Sequence, residues 1–302
     1  MKRIALFTSV LLSLVLIASC ASNKSASEAV GDRLSGAITS TEQFSFPLGQ
    51  KVNSPAFVGA MYFSPMIAND TTYNFPQTNL TTFEPGARSS WHTHGGMIVL
   101  VVDGIGYYQE EGKKAQILRR GDIVQIPEGV RHWHGAAADS WFSQIVIYDS
   151  HWTDGSDHDS EIVHLTAEEY ASLESEEYTG RDKVRFGGLM FNRAEKSVQF
   201  PTFSGAAYVS DLVGAENATV SPVLHYVVFE KGVYNAWHTH GEMYVIGVAG
   251  EGIYQEEGKE PVIIKKGDVV HIPAGVRHIH GATEDSWFQQ IVIYDKNWKQ
   301  GE

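Results

Sequence analysis

The stretch Phe83-Glu84-Pro85-Gly86-Ala87-Arg88-Ser89-Ser90-Trp91-His92-Thr93-His94 sets two histidines, two residues apart, behind a Pro-Gly turn. It returns 146 residues later as Phe229-Glu230-Lys231-Gly232 followed by Trp237-His238-Thr239-His240. The offset holds downstream. Gln109-Glu110-Glu111-Gly112 matches Gln255-Glu256-Glu257-Gly258, and Gly129-Val130-Arg131-His132 matches Gly275-Val276-Arg277-His278. Asp139-Ser140-Trp141-Phe142 matches Asp285-Ser286-Trp287-Phe288. From Phe57–Trp152 to Phe203–Trp298 the two copies align without a gap, with about half of the positions identical. Two units of this size can each hold a core, so the pattern predicts a tandem domain pair and not a solenoid.

Within a unit the elements are short. Ile98-Val99-Leu100-Val101-Val102, Ile123-Val124-Gln125-Ile126 and Ile145-Val146-Ile147-Tyr148 are β-rich runs bounded by Asp103-Gly104, Gly121-Asp122 and Pro127-Glu128-Gly129. Many short strands separated by turn residues predict an all-β sandwich or barrel. One helix signal lies between the copies: Thr166-Ala167-Glu168-Glu169 has capping-box spacing and leads into Tyr170–Leu173. The acidic, turn-rich run Asp154–Glu161 ahead of it reads as a solvated connector.

Composition narrows the classes. The chain has 302 residues, 43% hydrophobic and 20% charged, as expected for a globular protein of about two domains. A formal charge of −13 argues against a nucleic-acid partner, and a single Cys excludes disulfide frameworks and Cys-based metal sites.

His92 and His94 stand two apart at the expected start of a strand, so both side chains face the same way. A neighbouring strand could bring His132 to them, with His134 two residues on, and the second copy repeats the set as His238, His240, His278 and His280. Imidazoles suit Mn, Fe, Co, Ni, Cu or Zn, and three ligands leave positions open for substrate. His92, His94, His132, His238, His240 and His278 are therefore the candidate ligands of a divalent transition metal. His134 and His280 would orient it or shuttle protons. His225, in place of Asn79, and His271, in place of Gln125, are further candidates for proton transfer in the second unit; His271 is expected to face inward. Tyr108 and Tyr254, and Trp91, Trp141, Trp237 and Trp287, read as core residues.

Gly86-x5-His92-x-His94 with Gly104, then Gly121-x5-Pro127-x-Gly129-x2-His132, resemble the two cupin motifs, and both recur in the second copy. The resemblance covers about two thirds of the chain. It implies two tandem cupin double-stranded β-helix (jelly-roll) barrels joined by a short helical linker. Thr82–Arg88 with Trp91–His94, and His132-Trp133-His134-Gly135-Ala136, are similar to single-domain cupins that include manganese-dependent hydroxynitrile lyases. Such cupins usually place a Glu or Gln about four residues after the second His as a fourth ligand. Here Met97 and Met243 fall nearest that place, and Glu242 could reach the metal in the second copy, where the first has Gly96. Each Met also reads as barrel filling. The lyase-like cupins carry a late-strand His where this chain has Gln144 and Gln290. Gln is no general base, which argues against cyanohydrin cleavage by that route in either barrel.

Met1-Lys2-Arg3, the apolar stretch to Ile17 and Ala18-Ser19-Cys20 form a signal-peptide pattern whose end resembles the bacterial lipobox. That resemblance implies lipidation of Cys20 and a bacterial cell-envelope location, with membrane contact through the lipid anchor alone. The expected domains are 1–19 signal peptide, 20–43 lipidated tether, 44–152 and 184–302 cupin barrels, and 153–183 an acidic, helical linker. The expected function is a metal-dependent, lyase- or isomerase-like enzyme acting by Lewis-acid catalysis on a small oxygenated molecule, as a monomer or homodimer. A bicupin dioxygenase and a non-catalytic metal- or small-ligand-binding lipoprotein are the alternatives.

Overall fold

A computed structural model describes residues 36–68, 76–148, 161–180, 189–199, 201–213, 222–295 and 300–301. Cys20 with the expected signal peptide, most of the tether, the connector from Asp154 to Ser160, Trp152 and Trp298 lie outside them.

The described chain is nearly all β, and the repeat is visible as two barrels. In the first, strand Thr78–Phe83 and residues 97–102 of strand Met97–Glu110 turn odd positions inward and even positions outward, and past a register shift Tyr108 joins the inner core. Phe142–Tyr148 lies between them, antiparallel to both. The second barrel repeats this with Pro222–Phe229, Met243–Gly250 and Phe288–Asp295. Phe83, Val99, Val101, Phe142 and Val146 fill the first interior, while Phe229, Val245, Phe288 and Val292 fill the second. Leu80, Ile98, Leu100, Ile145 and Ile147 point the other way and pack with Leu224, Val228, Ile246, Ile291 and Ile293. The barrels therefore join through the outer faces of their large sheets. This explains why Ile98–Val102 is apolar at every position: both faces of the strand are buried.

Strand Met97–Glu110 serves both sheets of its barrel. Its first part pairs with Ile123–Ile126 and Phe142–Tyr148, and its last with Ala115–Arg119 and His132–Ala136. The corner is Gly104, at φ 77°, where a Cβ would lie 1.8 Å from the Trp141 carbonyl oxygen. Gly250, at φ 74°, makes the same approach to Trp287, and there the strand is interrupted before Gly252–Glu256.

The segment between the repeats holds the helix Ala167–Ala171. Thr166 accepts from the Glu169 N–H and the Glu169 carboxylate accepts from the Thr166 N–H. The described part of this segment is built onto the first barrel. Ser175–Glu177 pairs in parallel with Ala115–Ile117, and Arg88 donates to the Leu165 carbonyl and stacks on Tyr170. The end of the expected tether is docked as well: Ile38 bridges to Trp141, and its N–H donates to Ser140 Oγ at 3.0 Å. Beyond it, Asp103 accepts from Ser45 N and Oγ at 2.6 and 2.7 Å, and Phe46 enters the core between the barrels. No helix among the described residues is long and apolar enough to cross a membrane.

Candidate metal centres

In each barrel the two histidine motifs are hydrogen-bonded to each other at the histidines. His92 N donates to His132 O and His132 N to His92 O, both at 2.9 Å; His238 and His278 do the same at 3.1 and 3.0 Å. Gly129 N donates to His94 O at 3.0 Å, and Gly275 N to His240 O at 2.8 Å. The Pro-x-Gly turn is thereby set against the His-Thr-His segment, which brings motifs some forty residues apart in sequence onto one centre. His92 and His94 sit on an isolated bridge and a loop rather than in a regular strand, yet their rings still converge.

The rings form two matching clusters. His132 lies 4.3 Å from His92 and 4.6 Å from His94 between ring centroids, and His278 lies 4.4 and 4.6 Å from His238 and His240. Ligand atoms of His238, His240 and His278, the expected set, come within 4.8 Å of one another, whereas in the first barrel the group that does so is His92, His132 and His134, with His134 where the sequence pattern names His94. His134 and His280 stack on His132 and His278 at 5.9 and 5.7 Å.

Backbone carbonyls set the tautomers. The Nδ1 atoms of His92, His94 and His132 lie 2.8, 2.6 and 2.8 Å from the carbonyls of Ser90, Gly95 and Val130. Those of His238, His240 and His278 lie 2.8, 2.5 and 2.9 Å from Ala236, Gly241 and Val276. A carbonyl only accepts, so each neutral ring carries its proton on Nδ1 and its lone pair on Nε2, the outer-sphere arrangement of a metal-ligating histidine. In the second barrel Nε2 of His240 and Nε2 of His278 face each other at 3.1 Å. Two lone pairs repel at that distance unless a cation lies between them, and about 2.1 Å from each nitrogen is an ordinary metal–imidazole bond. His132 Nε2 is buried without a hydrogen-bonding partner. Burial is the main cause that holds His132, His134, His238, His240 and His280 below the ordinary histidine range, and it pushes His278 down to about 4. The residues present fit a divalent transition metal in each barrel.

Each cluster opens into a cavity. The first, about 390 Å³, is lined by His92, His94 and His134 with Met97, Thr81 and Tyr148. The second, about 720 Å³, includes His238, His240 and His280 with Met243, His225 and Tyr294. Met97 and Met243 are buried within the inner cores. Glu242 is turned elsewhere. One carboxylate oxygen accepts from Ala274 N at 3.0 Å, and the other is in contact with His271 Nε2. His271 departs from its expected inward position. Val270 and Ile272 take the inner face of its strand, so His271 stands on the outer face and stacks on Tyr244. The four tryptophans expected in the core lie outside it: Trp91 and Trp141 are half-buried, and Trp237 and Trp287 are exposed. Trp237 stacks with Arg277 at the rim of the second cavity.

His225 does reach the second cavity. Its Nε2 lies 2.9 Å from Asp211 Oδ1, and the Tyr294 hydroxyl lies 2.9 Å from its Nδ1 and 2.8 Å from its Nε2. Burial lowers the His225 pKa, Asp211 raises it, and burial pushes the Tyr294 hydroxyl up to about 12. The first copy has Tyr148, but Asn79 and Pro65 stand where His225 and Asp211 do. No sequence motif marks Asp211 and Tyr294; the register of three adjacent strands brings them to His225. Gln144 and Gln290 were read only as missing bases. Both are wholly buried, and each contacts a histidine, Gln144 Nε2 at 3.0 Å from His134 Nδ1 and Gln290 Nε2 at 3.1 Å from His280 Nδ1.

Two barrels, each built around a histidine-lined pocket, define a two-domain metal-centre fold, and comparison with known proteins places it. The cupin domain model matches residues 79–148 and 225–294. A 117-residue stretch is 35% identical to (R)-mandelonitrile lyase of Granulicella tundricola, covering 37% of this chain and 87% of that one. A cupin-like protein of Thermotoga maritima is 40% identical over 35% of this chain and 80% of its own, with a TM-score of 0.34. Oxalate decarboxylase from Bacillus subtilis is 14% identical over 88% of this chain and 78% of its own, with a TM-score of 0.51. The chain belongs to the cupin family, and it carries two cupin domains.

Proposed function

We propose that this bicupin is a metal-dependent enzyme of the bacterial cell envelope, tethered through a lipid on Cys20, that acts on a small oxygenated organic molecule. The observation that carries the reading is the 3.1 Å approach of the His240 and His278 Nε2 atoms, within a four-histidine pattern that the sequence carries twice. His92, His94 and His132 would hold one ion, and His238, His240 and His278 the other. The bound metal would supply Lewis-acid polarisation of a carbonyl or hydroxyl oxygen. The rest of the chemistry falls to the chain. In the second pocket the neutral His225 ring, held by Asp211, takes or returns a proton through the Tyr294 hydroxyl. The apolar walls, among them Val227, Phe229 and Val292, exclude water around the reacting atoms. The first pocket is smaller and has no counterpart of the Asp–His pair, which favours a binding role there. Similarity to a mandelonitrile lyase supports a lyase acting on a 2-hydroxy compound. Gln144 and Gln290 argue for a base other than the late-strand histidine.

Elemental analysis of the purified chain, alongside His92→Ala, His238→Ala and the double variant, tests the metal reading. Two equivalents falling to one in each single variant and to none in the double supports two sites; a folded wild type that takes up no metal overturns it. With the metal-loaded chain, mandelonitrile, oxalate and 2-hydroxy and 2-oxo acids form the first substrate panel. His225→Asn is expected to lower kcat about 100-fold, in keeping with loss of a general base, with metal content unchanged. Labelled palmitate incorporation that disappears in Cys20→Ser tests the anchor.

A further inference from the structure

Six of the eight clustered histidines give their Nδ1 proton to a backbone carbonyl, but His134 and His280 do not. Their Nδ1 atoms meet the side-chain amides of Gln144 and Gln290 instead. An amide can turn either end to the ring, and the two orientations have opposite consequences. With its oxygen toward the ring, the Gln accepts the Nδ1 proton and strands its NH2 group, two donors, in a wholly buried position. With its nitrogen toward the ring, it donates one N–H to Nδ1 and leaves its oxygen and a single N–H unmet, one orphaned donor instead of two. Orphaned donors are the rarer defect in protein interiors, so the second arrangement is favoured. The structure has the amides assigned this way, with Oε1 of Gln144 and Oε1 of Gln290 left without partners. An Nδ1 that accepts leaves the proton of the neutral ring on Nε2.

The backbone and rings of both histidines are held by neighbouring groups. The His134 backbone N–H is bound by Ser89 Oγ at 3.1 Å, and that of His280 by Asn235 Oδ1 at 2.7 Å. Phe83 packs edge-on to His134 and Phe229 to His280, with ring centroids 5.6 and 6.0 Å apart. Both histidines line their pockets.

We infer that Gln144 and Gln290 are positioning residues that hold His134 and His280 as Nε2–H donors, so that each barrel offers three lone pairs to an ion and one N–H to the substrate beside it. The assignment of the tautomer stands on the hydrogen bonding alone; the role toward substrate rests on the metal reading above. It narrows the substrate class to molecules with a second acceptor atom next to the oxygen that meets the ion, such as 2-hydroxy nitriles, 2-hydroxy acids or 2-oxo acids. It also distinguishes these centres from four-imidazole coordination, which would require the Nε2 lone pairs of His134 and His280.

Long-range 1H–15N correlation spectra of the full, metal-free chain report each tautomer directly. In wild type, His134 and His280 are expected to show an unprotonated Nδ1 and a protonated Nε2, opposite to the other six. Gln144→Glu and Gln290→Glu replace the amide by a carboxylate, which when ionised only accepts, so at a pH where it is ionised Nδ1 of the facing ring should shift into the protonated region. Gln144→Met and Gln290→Met keep the bulk and remove the hydrogen bond, so a mixture of tautomers is expected even if the Glu variants fold poorly. In the Zn-loaded chain, X-ray absorption should count three imidazoles per ion in wild type and four in the Glu variants. Nδ1–H in wild-type His134 and His280, or four imidazoles per ion in wild type, overturns the inference while leaving a metal enzyme intact. The expected tautomers in a chain that takes up no metal would sink the enzyme reading and leave the tautomer assignment standing.

Discussion

Gly104 and Gly250 stand where each barrel turns its corner, and no other residue type fits. Each combines a positive φ with a Cβ position 1.8 Å from a carbonyl oxygen of the facing strand. Gly104→Ala should therefore cost roughly 2–5 kcal/mol, since backbone strain and a clash against main chain add. Urea denaturation of the variant measures it, and a cost below about 1 kcal/mol would mean that the strand bends freely there. The histidines behave differently at this scale. Each motif residue was legible in sequence because spacing and repetition single it out. The groups that tune them were not. Gln144 reads as a polar residue in an apolar strand until its amide is seen against His134, and His225 gains its partners only through Asp211 and Tyr294 on the two neighbouring strands.

At the scale of elements, the segment after the first repeat behaves as part of the first barrel. The capping-box pattern at Thr166–Glu169 is enough to start a helix, but a single turn is too short to persist alone. Contacts hold it: the Tyr170 hydroxyl donates to the Ala136 carbonyl at 2.5 Å, and the ring receives the Arg88 guanidinium at 4.5 Å. Tyr170→Phe removes only the hydrogen bond and should cost about 1 kcal/mol. Tyr170→Ala also removes the stacking and should make bonds on either side of the helix more sensitive to limited proteolysis. Equal cleavage rates in wild type and Tyr170→Ala would contradict the docked arrangement. Helix placement was thus legible from local chemistry. Its docking was not, because Ser175–Glu177 has no sequence mark of an edge strand and pairs only because Ala115–Ile117 leaves that edge open.

Across the whole molecule, the buried histidines make stability depend on pH and on metal. Burial holds His132, His134, His238, His240, His278 and His280 below the ordinary histidine value, with His278 at about 4. The unfolded chain, whose histidines titrate near 6.5, then binds more protons than the folded chain once the pH drops below that value. Stability of the metal-free chain should be full above about pH 7 and fall steadily as the pH is lowered from about 6.5 through 4, by up to about 1.4 kcal/mol per pH unit for each such histidine. Thermal melts across that range check the sign, and a metal-free melting temperature that rises on acidification would refute it. Divalent metal, bound by the folded chain, should raise Tm at pH 7 and lose that effect in the His92→Ala, His238→Ala double variant.

The sequence by itself determined the repeat, the β character, the family motifs and the histidines that gather at each centre, because these depend on local spacing and on a pattern written twice. Only the tertiary structure decided which faces the barrels share, that His271 and Glu242 turn toward each other and leave the cavity, and that Asp211, His225 and Tyr294 meet. Those outcomes depend on register between strands distant in the chain, where a shift of one residue exchanges the inner and outer faces.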